Sequence, residues 1–278
     1  MRGYDVRVAR AKTGGLTALV KAIRASIPIL GACAMVAIWS LCVKLSGVAP
    51  YILPGPETVA TALVNDWPIL GAGLWVTAKT TFLALLLALI GGWGTALLLA
   101  QARWIEGLFQ PVTVTVQVTP IVAIAPLIAI YAATVQMAQM ICAFIVAFFP
   151  IMLNTLQGLK SAERYHADLL RTYGASRWQT FRYLRIPSAL PSIFAGVKIS
   201  GGLALIGAVV AEFSVGQAGK NAGLAFRLLE AQTRLNTPRV FAALVLLAAL
   251  GAVIFMMTSF LSWLFLRHWH ESEISTTS

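Results

Sequence analysis

The chain has 278 residues, 59% of them apolar and 11% charged, with a formal net charge of +11. A water-soluble domain carries about 25% charged residues, so most of this surface meets something other than water. The charge does not point to nucleic acid. Lys and Arg sit between long apolar runs, where membrane sidedness explains them, and no stretch outside those runs interleaves basic and aromatic residues in a way that argues for nucleic-acid binding.

In chain order, segment 1–26 is basic, with Arg2, Arg7, Arg10, Lys12, Lys21 and Arg24. The apolar run from Ile27 to Val43 is too long for a signal-peptide core and has no A-x-A-like site behind it, so it reads as a retained first membrane helix. A run of about 20 apolar residues crosses a bilayer. On that rule, spans fall at about 27–45, 74–99, 114–132, 137–156, 193–213 and 240–266. The fold class is an all-α integral membrane protein of about six helices, with one membrane domain over 27–270 and a tail at 271–278. Between the first two spans, YILPGPETVATALV reads as an extended lead through Pro54 and Pro56. A helix on the membrane surface follows, with Glu57 at its positive end. The third span, QVTPIVAIAPLIAIY, holds Pro120 and Pro126. Proline is tolerated in a span where protein or a polar cavity satisfies the freed backbone groups, so this span is no straight lipid-facing rod. The excess of Lys and Arg puts both termini, the loop with Arg103 and the segment carrying Lys160, Arg164, Arg171, Arg177, Arg182 and Arg185 in the cytoplasm. One loop dissents: 214–238 falls outside, yet carries Lys220, Arg227 and Arg234.

The loop over 158–191 is the most structured part of the pattern. Ala162, Tyr165, His166, Leu169, Leu170 and Tyr173 form an apolar helical stripe. Gly174 then ends the helix, as glycine does where the chain turns left-handed. Ser176 followed by Gln179 is a capping-box pattern that starts a second helix, whose apolar face is Trp178, Phe181 and Leu184. Pro187 ends it and Pro191 opens the next span. A basic loop resting on anionic lipid is one reading. The glycine turn, the cap and the proline stop define a shape as well as a charge, and they favour docking to a soluble partner.

That order of residues resembles the "EAA" signature of permease subunits of bacterial ATP-binding-cassette importers. Gly174 matches the signature glycine, and Leu184, Ile186 and Pro187 match its Ile-x-Leu-Pro end. Asp168, Leu169 and Leu170 stand where the family has Glu-Ala-Ala. LPGPETVATAL, PLIAIY, FFPIMLNTLQGL and GGLALIGAVVAEF resemble the nitrate, sulfonate and taurine branch, and the wording also resembles members for pyrimidine precursors or riboflavin. The likeness covers roughly residues 50–270. It implies a type I importer permease fold in a bacterial inner membrane, a homodimer, a cytoplasmic ATPase dimer and a periplasmic or lipid-anchored substrate-binding protein. The implied mechanism is alternating access, in which ATP favours the outward state differentially. Asp168, Leu169, Leu170, Arg171, Gly174, Ala175, Ser176, Arg177, Trp178 and Pro187 are the implied ATPase-docking residues. ATP is used by the partner, and no cofactor is expected on this chain.

Gln117, Thr119, Tyr131, Asn154 and Glu212, with Thr155, are candidates to line a polar pathway; helix–helix hydrogen bonding is the competing role for each. Glu212 is an ionisable group at the end of a span, which is a functional hypothesis by default, or it pairs with Lys220 or Arg227. Lys198 is expected to snorkel to the cytoplasmic surface. Cys33, Cys42 and Cys142 lie in apolar runs without a CxxC pair, and His166, His268 and His270 do not converge on them, which argues against a metal or disulfide role. SVGQAGKNAG lacks the spacing and the Ser/Thr after lysine of a phosphate loop. No carboxylate pair or nucleophile–base set suggests a membrane enzyme. The expectation is a permease subunit for a small polar or anionic solute, nitrate-, sulfonate- or taurine-like or pyrimidine-precursor-like. An autonomous ion-driven secondary transporter is the alternative, and inverted repeats and mid-membrane charges would mark it.

Overall fold

The computed structural model describes residues 30–267 apart from 32, 50, 102, 163 and 220. Segment 1–26, the expected span start at Ile27 and the tail at 271–278 lie outside the described residues. Regular structure among the described residues is helical throughout: α1 (Cys33–Ser46), then α2 (Pro56–Asn65), α3 (Trp67–Leu99), α4 (Arg103–Val118), α5 (Ile121–Tyr131), α6 (Val135–Lys160), α7 (Arg164–Thr172), α8 (Arg177–Thr180), α9 (Ile186–Val215), α10 (Leu224–Thr233) and α11 (Thr237–Leu266).

Four described helices are long and apolar enough to cross a membrane: α3, α6, α11 and the helix running from Arg177 to Val215. A fifth crossing is the pair α4–α5, which bends by 101° between Gly107–Val118 and Ile121–Tyr131. Packing shows why the pair must cross. Ala84 of α3 meets Ala143 of α6, and further along Ala96 and Leu99 meet Met152 and Leu156. The two helices therefore run parallel, and the chain has to return between them. The break falls at Pro120, which leads into α5 with extended backbone (φ −61°, ψ 119°), so the third span is bent as its prolines predict. The described part of α1 is shorter than the ~20 residues of a full span. Four crossings plus the bent pair are what the described residues provide.

α9 runs antiparallel to α3, α6 and α11 and is the centre of the bundle. Lipid tails give helices no hydrophobic reason to associate, so close packing by small residues does the work. Ala204 packs with Ala88 and Ala147. A Cβ on Gly207 would stand 2.9 Å from the Ala143 Cα, so only glycine permits this approach of α9 to α6. Ser200 Oγ donates to the Ala147 carbonyl at 2.7 Å across the same seam. Trp75 and Lys79 are exposed near the start of α3, and Trp263 is exposed near the end of α11. Because α3 and α11 run parallel, these positions lie toward opposite ends of the bundle, as interfacial aromatics and a snorkelling lysine do on the two sides of a membrane.

One expectation is corrected. Pro187 does not end a helix: Arg177–Val215 is one helix of 39 residues. The reason lies in the turn before the proline. Phe181–Arg185 is a π-helical turn, in which the Ile186 N–H donates to the Phe181 carbonyl. Proline clashes with the carbonyl four residues back and offers no N–H, and widening the preceding turn relieves both problems. The helix outruns the ~20 residues of a span, so it begins, at Arg177, before the membrane crossing. α2 is a mostly exposed helix held to the bundle by one face. Val59 is buried in a cluster with Leu70, Leu224, Leu228 and Ala242, which ties α2 to α3, α10 and α11.

The dissenting basic loop also has a structural explanation. Arg227 donates to Glu230 Oε2 at 2.9 Å and to the Gly219 carbonyl at 2.7 Å. Arg234 donates to Glu230 Oε1 at 2.8 Å. Nearby, Arg239 at the start of α11 forms a two-pronged pair with Asp66 at 2.6 and 2.5 Å. These arginines are engaged with local acceptors.

Candidate functional site

At one end of the bundle α7 and α8 form a knob. α7 ends in a glycine turn: Gly174 has φ +75°, Ala175 N–H donates to the Leu170 carbonyl and Gly174 N–H to the Arg171 carbonyl, both at 2.9 Å. This double closure with a left-handed residue is the Schellman arrangement. Ser176 then caps α8. Its Oγ accepts from Gln179 N–H at 3.2 Å, and Gln179 Oε1 accepts from Ser176 N–H at 2.7 Å. The expected capping box is present in full. Asp168, Leu169, Arg171, Gly174, Ser176, Arg177 and Trp178 are exposed, with Leu170, Ala175 and Pro187 half-buried. Tyr173 is 82% and Trp178 68% exposed. Asp168 lies 3.9 Å from Arg171, a loose solvent-exposed pair worth ~0–1 kcal/mol. Nine of the predicted docking residues therefore lie in the exposed or half-buried segment from α7 to α8, while Pro187 lies behind it at the start of α9.

The pathway candidates do not form one set. Gln117 and Thr119 line a cavity of about 200 Å³ with Ile124, Val146, Phe149 and Leu203, beside the α4–α5 break. Tyr131 is 82% exposed and borders a separate cavity of about 260 Å³ with Leu127 and Met137. Asn154 spends its Nδ2 on the Pro150 carbonyl of its own helix at 2.8 Å. Thr155 is buried, and its hydroxyl has no described partner. Lys198 is half-buried and lies in the middle of the long Arg177–Val215 helix.

Glu212 is fully buried, and among the described residues it does not pair with the predicted Arg227. Lys220 lies outside the described residues, and Arg227 is engaged by Glu230. Thr77 of α3 donates its hydroxyl to Glu212 Oε1 at 2.7 Å, and Ala225 N–H of α10 donates to Oε2 at 2.8 Å. Leu224 N–H donates to Thr77 Oγ1 at 2.8 Å. The first N–H groups of a helix have no partner within it, and a carboxyl group there suits the positive helix end. Any Cβ on Gly223 would overlap the carboxyl group, so the chain has a glycine where the two meet. Thr77 was missed by sequence reasoning. Its only local signal is a hydroxyl in an apolar run, which Thr80 and Thr81 share.

A multi-span helical membrane protein with a shaped knob at one end is thus defined by geometry. Residues 84–267 match the family described as binding-protein-dependent transport system inner membrane component, and the chain belongs to that family. It is 34% identical over 243 residues to the riboflavin transport system permease protein RibX of Chloroflexus aurantiacus, covering 84% of this chain and 86% of the relative. It is 31% identical to the formylaminopyrimidine transport permease protein ThiX of Halalkalibacterium halodurans over 222 residues, covering 78% and 85%. A crystal structure of an amino acid ABC transporter superposes with a TM-score of 0.60 at 21% identity, over 75% of this chain and 97% of that one; it shows the shared fold. The protein is a transmembrane permease subunit of an ATP-driven import system.

Proposed function

We propose that this permease works as a homodimer and carries a small nitrogen heteroaromatic of the pyrimidine-precursor or flavin kind, with ATP hydrolysed by a separate subunit docked on the knob. The observation that carries the docking assignment is the knob itself. A Schellman turn and a full capping box hold exposed Tyr173, Trp178, Arg171 and Arg177 in a fixed shape. A lipid-resting loop needs charge but no such shape, whereas arginine pairs geometrically with carboxylates of a protein partner. In this reading 27–270 is the permease unit with its coupling loop at 158–191, and segments 1–26 and 271–278 are cytoplasmic with the knob. The opposite end faces a binding protein, and the chain holds no cofactor or nucleotide of its own. The exposed apolar residues of α4 and α5, among them Val112, Val118, Val122 and Leu127, support burial against a second copy or lipid.

Two features support the substrate class over a sulfonate or nitrate. The two relatives named above carry nitrogen-heterocycle names. The cavity beside the α4–α5 break is lined by apolar side chains with Gln117 and Thr119, and by no charged group. An anion there would lose its hydration without a paired charge, which is costly.

The test compares Gly174→Asp with Gly174→Asn. Nothing lies within 4 Å of a Cβ at this position, and both residues tolerate the left-handed conformation better than other side chains do. Asn alters little besides bulk; Asp adds a negative charge to the docking face. The expected outcome is that the Asn variant retains the co-expressed ATPase and ATP-driven uptake, and the Asp variant loses both. Undiminished ATPase binding by the Asp variant would overturn the assignment, and uptake by the chain alone on an ion gradient would support a secondary transporter.

A further inference from the structure

The cavity beside the α4–α5 break brings together side chains that recognise a flat polar ring. Gln117 near the end of α4 borders it, with Thr119 after it and Val146, Phe149 and Pro150 on α6. Among the described residues no hydrogen bond engages the Gln117 carboxamide, so it offers an acceptor oxygen and an amide donor side by side. Thr119 gives its hydroxyl proton to the Thr115 carbonyl at 2.7 Å, which leaves its oxygen with acceptor capacity alone. Pro150 lies inside α6 and has no N–H, so the Val146 carbonyl four residues back lacks its helical donor. The polar wall thus holds more acceptors than donors, and no charge.

Phe149 supplies an apolar face. Its ring meets the Phe148 ring edge-on at 5.1 Å, and Phe148 meets Phe144 at 5.3 Å. Those neighbours hold the Phe149 ring in place, and a held ring suits stacking on another aromatic. The volume is about 200 Å³, below the ~300–1,000 Å³ of pockets for drug-sized ligands. It suits one aromatic ring and is too small for three fused rings with a polyol tail.

We propose that this cavity is a recognition site for a single-ring, amino-substituted pyrimidine, with Gln117 as the specificity-determining residue and Phe149 as the stacking face. In such a ring a nitrogen acceptor stands beside an exocyclic amino donor. A glutamine carboxamide matches that pair with two hydrogen bonds, as it does when it reads adenine. The second amino hydrogen is left for Thr119 or the Val146 carbonyl. A ring without the amino group leaves these acceptors unpaired, which is the expensive way to lose a hydrogen bond. The inference rests on the reading of this chain as a carrier of a nitrogen heteroaromatic, and narrows it from two kinds to one.

The experiment uses the permease with its co-purified ATPase in lipid nanodiscs. Binding of 4-amino-2-methylpyrimidine, 2-methylpyrimidine and riboflavin is read by equilibrium dialysis. The unaltered transporter is expected to bind the amino compound about tenfold tighter than the bare ring, and riboflavin is expected not to displace it. Gln117→Leu should erase the preference for the amino compound. Gln117 is exposed, so this change disturbs no packing. Phe149→Leu should weaken both pyrimidines about tenfold and keep their ratio, a readout that a loss of folded protein does not imitate. An unchanged ratio in Gln117→Leu would overturn the assignment, as would displacement by riboflavin or no binding of the amino compound at all. Uptake through the full system with its binding protein tests the broader reading separately. Riboflavin uptake without pyrimidine binding in the cavity sinks this inference alone. Uptake of taurine or nitrate, and of neither heteroaromatic, sinks the reading beneath it as well.

Discussion

Glu230 sits between Arg227 and Arg234, and the hydrogen bond from Arg227, aided by the charges of Arg227, Arg234 and Arg239, holds its carboxyl below the usual carboxylate range. A depressed folded-state pKa means that the folded segment binds the proton more weakly than the unfolded one. The contribution is therefore complete above the unfolded value of about 4.3 and is lost as pH falls through the folded one. Amide protection over 224–233, taken relative to the intrinsic exchange rate at each pH, should fall on acidification below about pH 4, and Glu230→Gln should show that lower protection already at neutral pH. Protection in the unaltered chain that stays constant down to about pH 3 would contradict the ion-pair reading. Residues of this kind were half legible. The cations of 214–238 stand out in the sequence, but the arithmetic of charge says nothing about who engages them. Glu212 was likewise visible as an isolated acid, while its partner Thr77 lies 135 residues away in a span with other threonines.

At the scale of elements, the seam between α6 and α9 carries the bundle. Gly207 is the position to probe because its Cβ would meet Ala143 backbone at 2.9 Å, whereas a Cβ at Gly202 meets nothing within 4 Å. Gly207→Leu should destabilise the detergent-purified chain by about 1–3 kcal/mol, the usual cost of overpacking, and Gly202→Leu should leave its thermal unfolding midpoint nearly unchanged. Equal effects of the two would show that the seam is not the limiting contact. The capping box and the glycine turn were readable because each is set by residues within a few positions. The continuous helix through Pro187 was not. Proline is a sound stop signal, and the wider turn that lets the helix continue is a hydrogen-bond register that no residue type announces.

For the whole molecule, the proposed sidedness has a direct consequence. Leu235 is 85% exposed beyond α10, and Trp178 is 68% exposed on the knob, at opposite ends of the Arg177–Val215 helix and its following loop. With Cys33, Cys42 and Cys142 replaced, a membrane-impermeant thiol reagent applied to right-side-out vesicles should label Leu235→Cys and spare Trp178→Cys. The reverse pattern would invert the orientation. By itself the sequence determined the all-helical membrane class, the approximate places of the four long apolar helices and the knob, because hydropathy, caps and a glycine stop act over a few residues or along one helix. Only the tertiary structure decided that α3 and α6 run parallel, that Gln117 and Thr119 share a cavity without Tyr131, and that Glu212 fastens α10 to α3. Each of these depends on which helix faces which, and in a membrane small residues and sparse hydrogen bonds set that choice with little trace in any single stretch of chain.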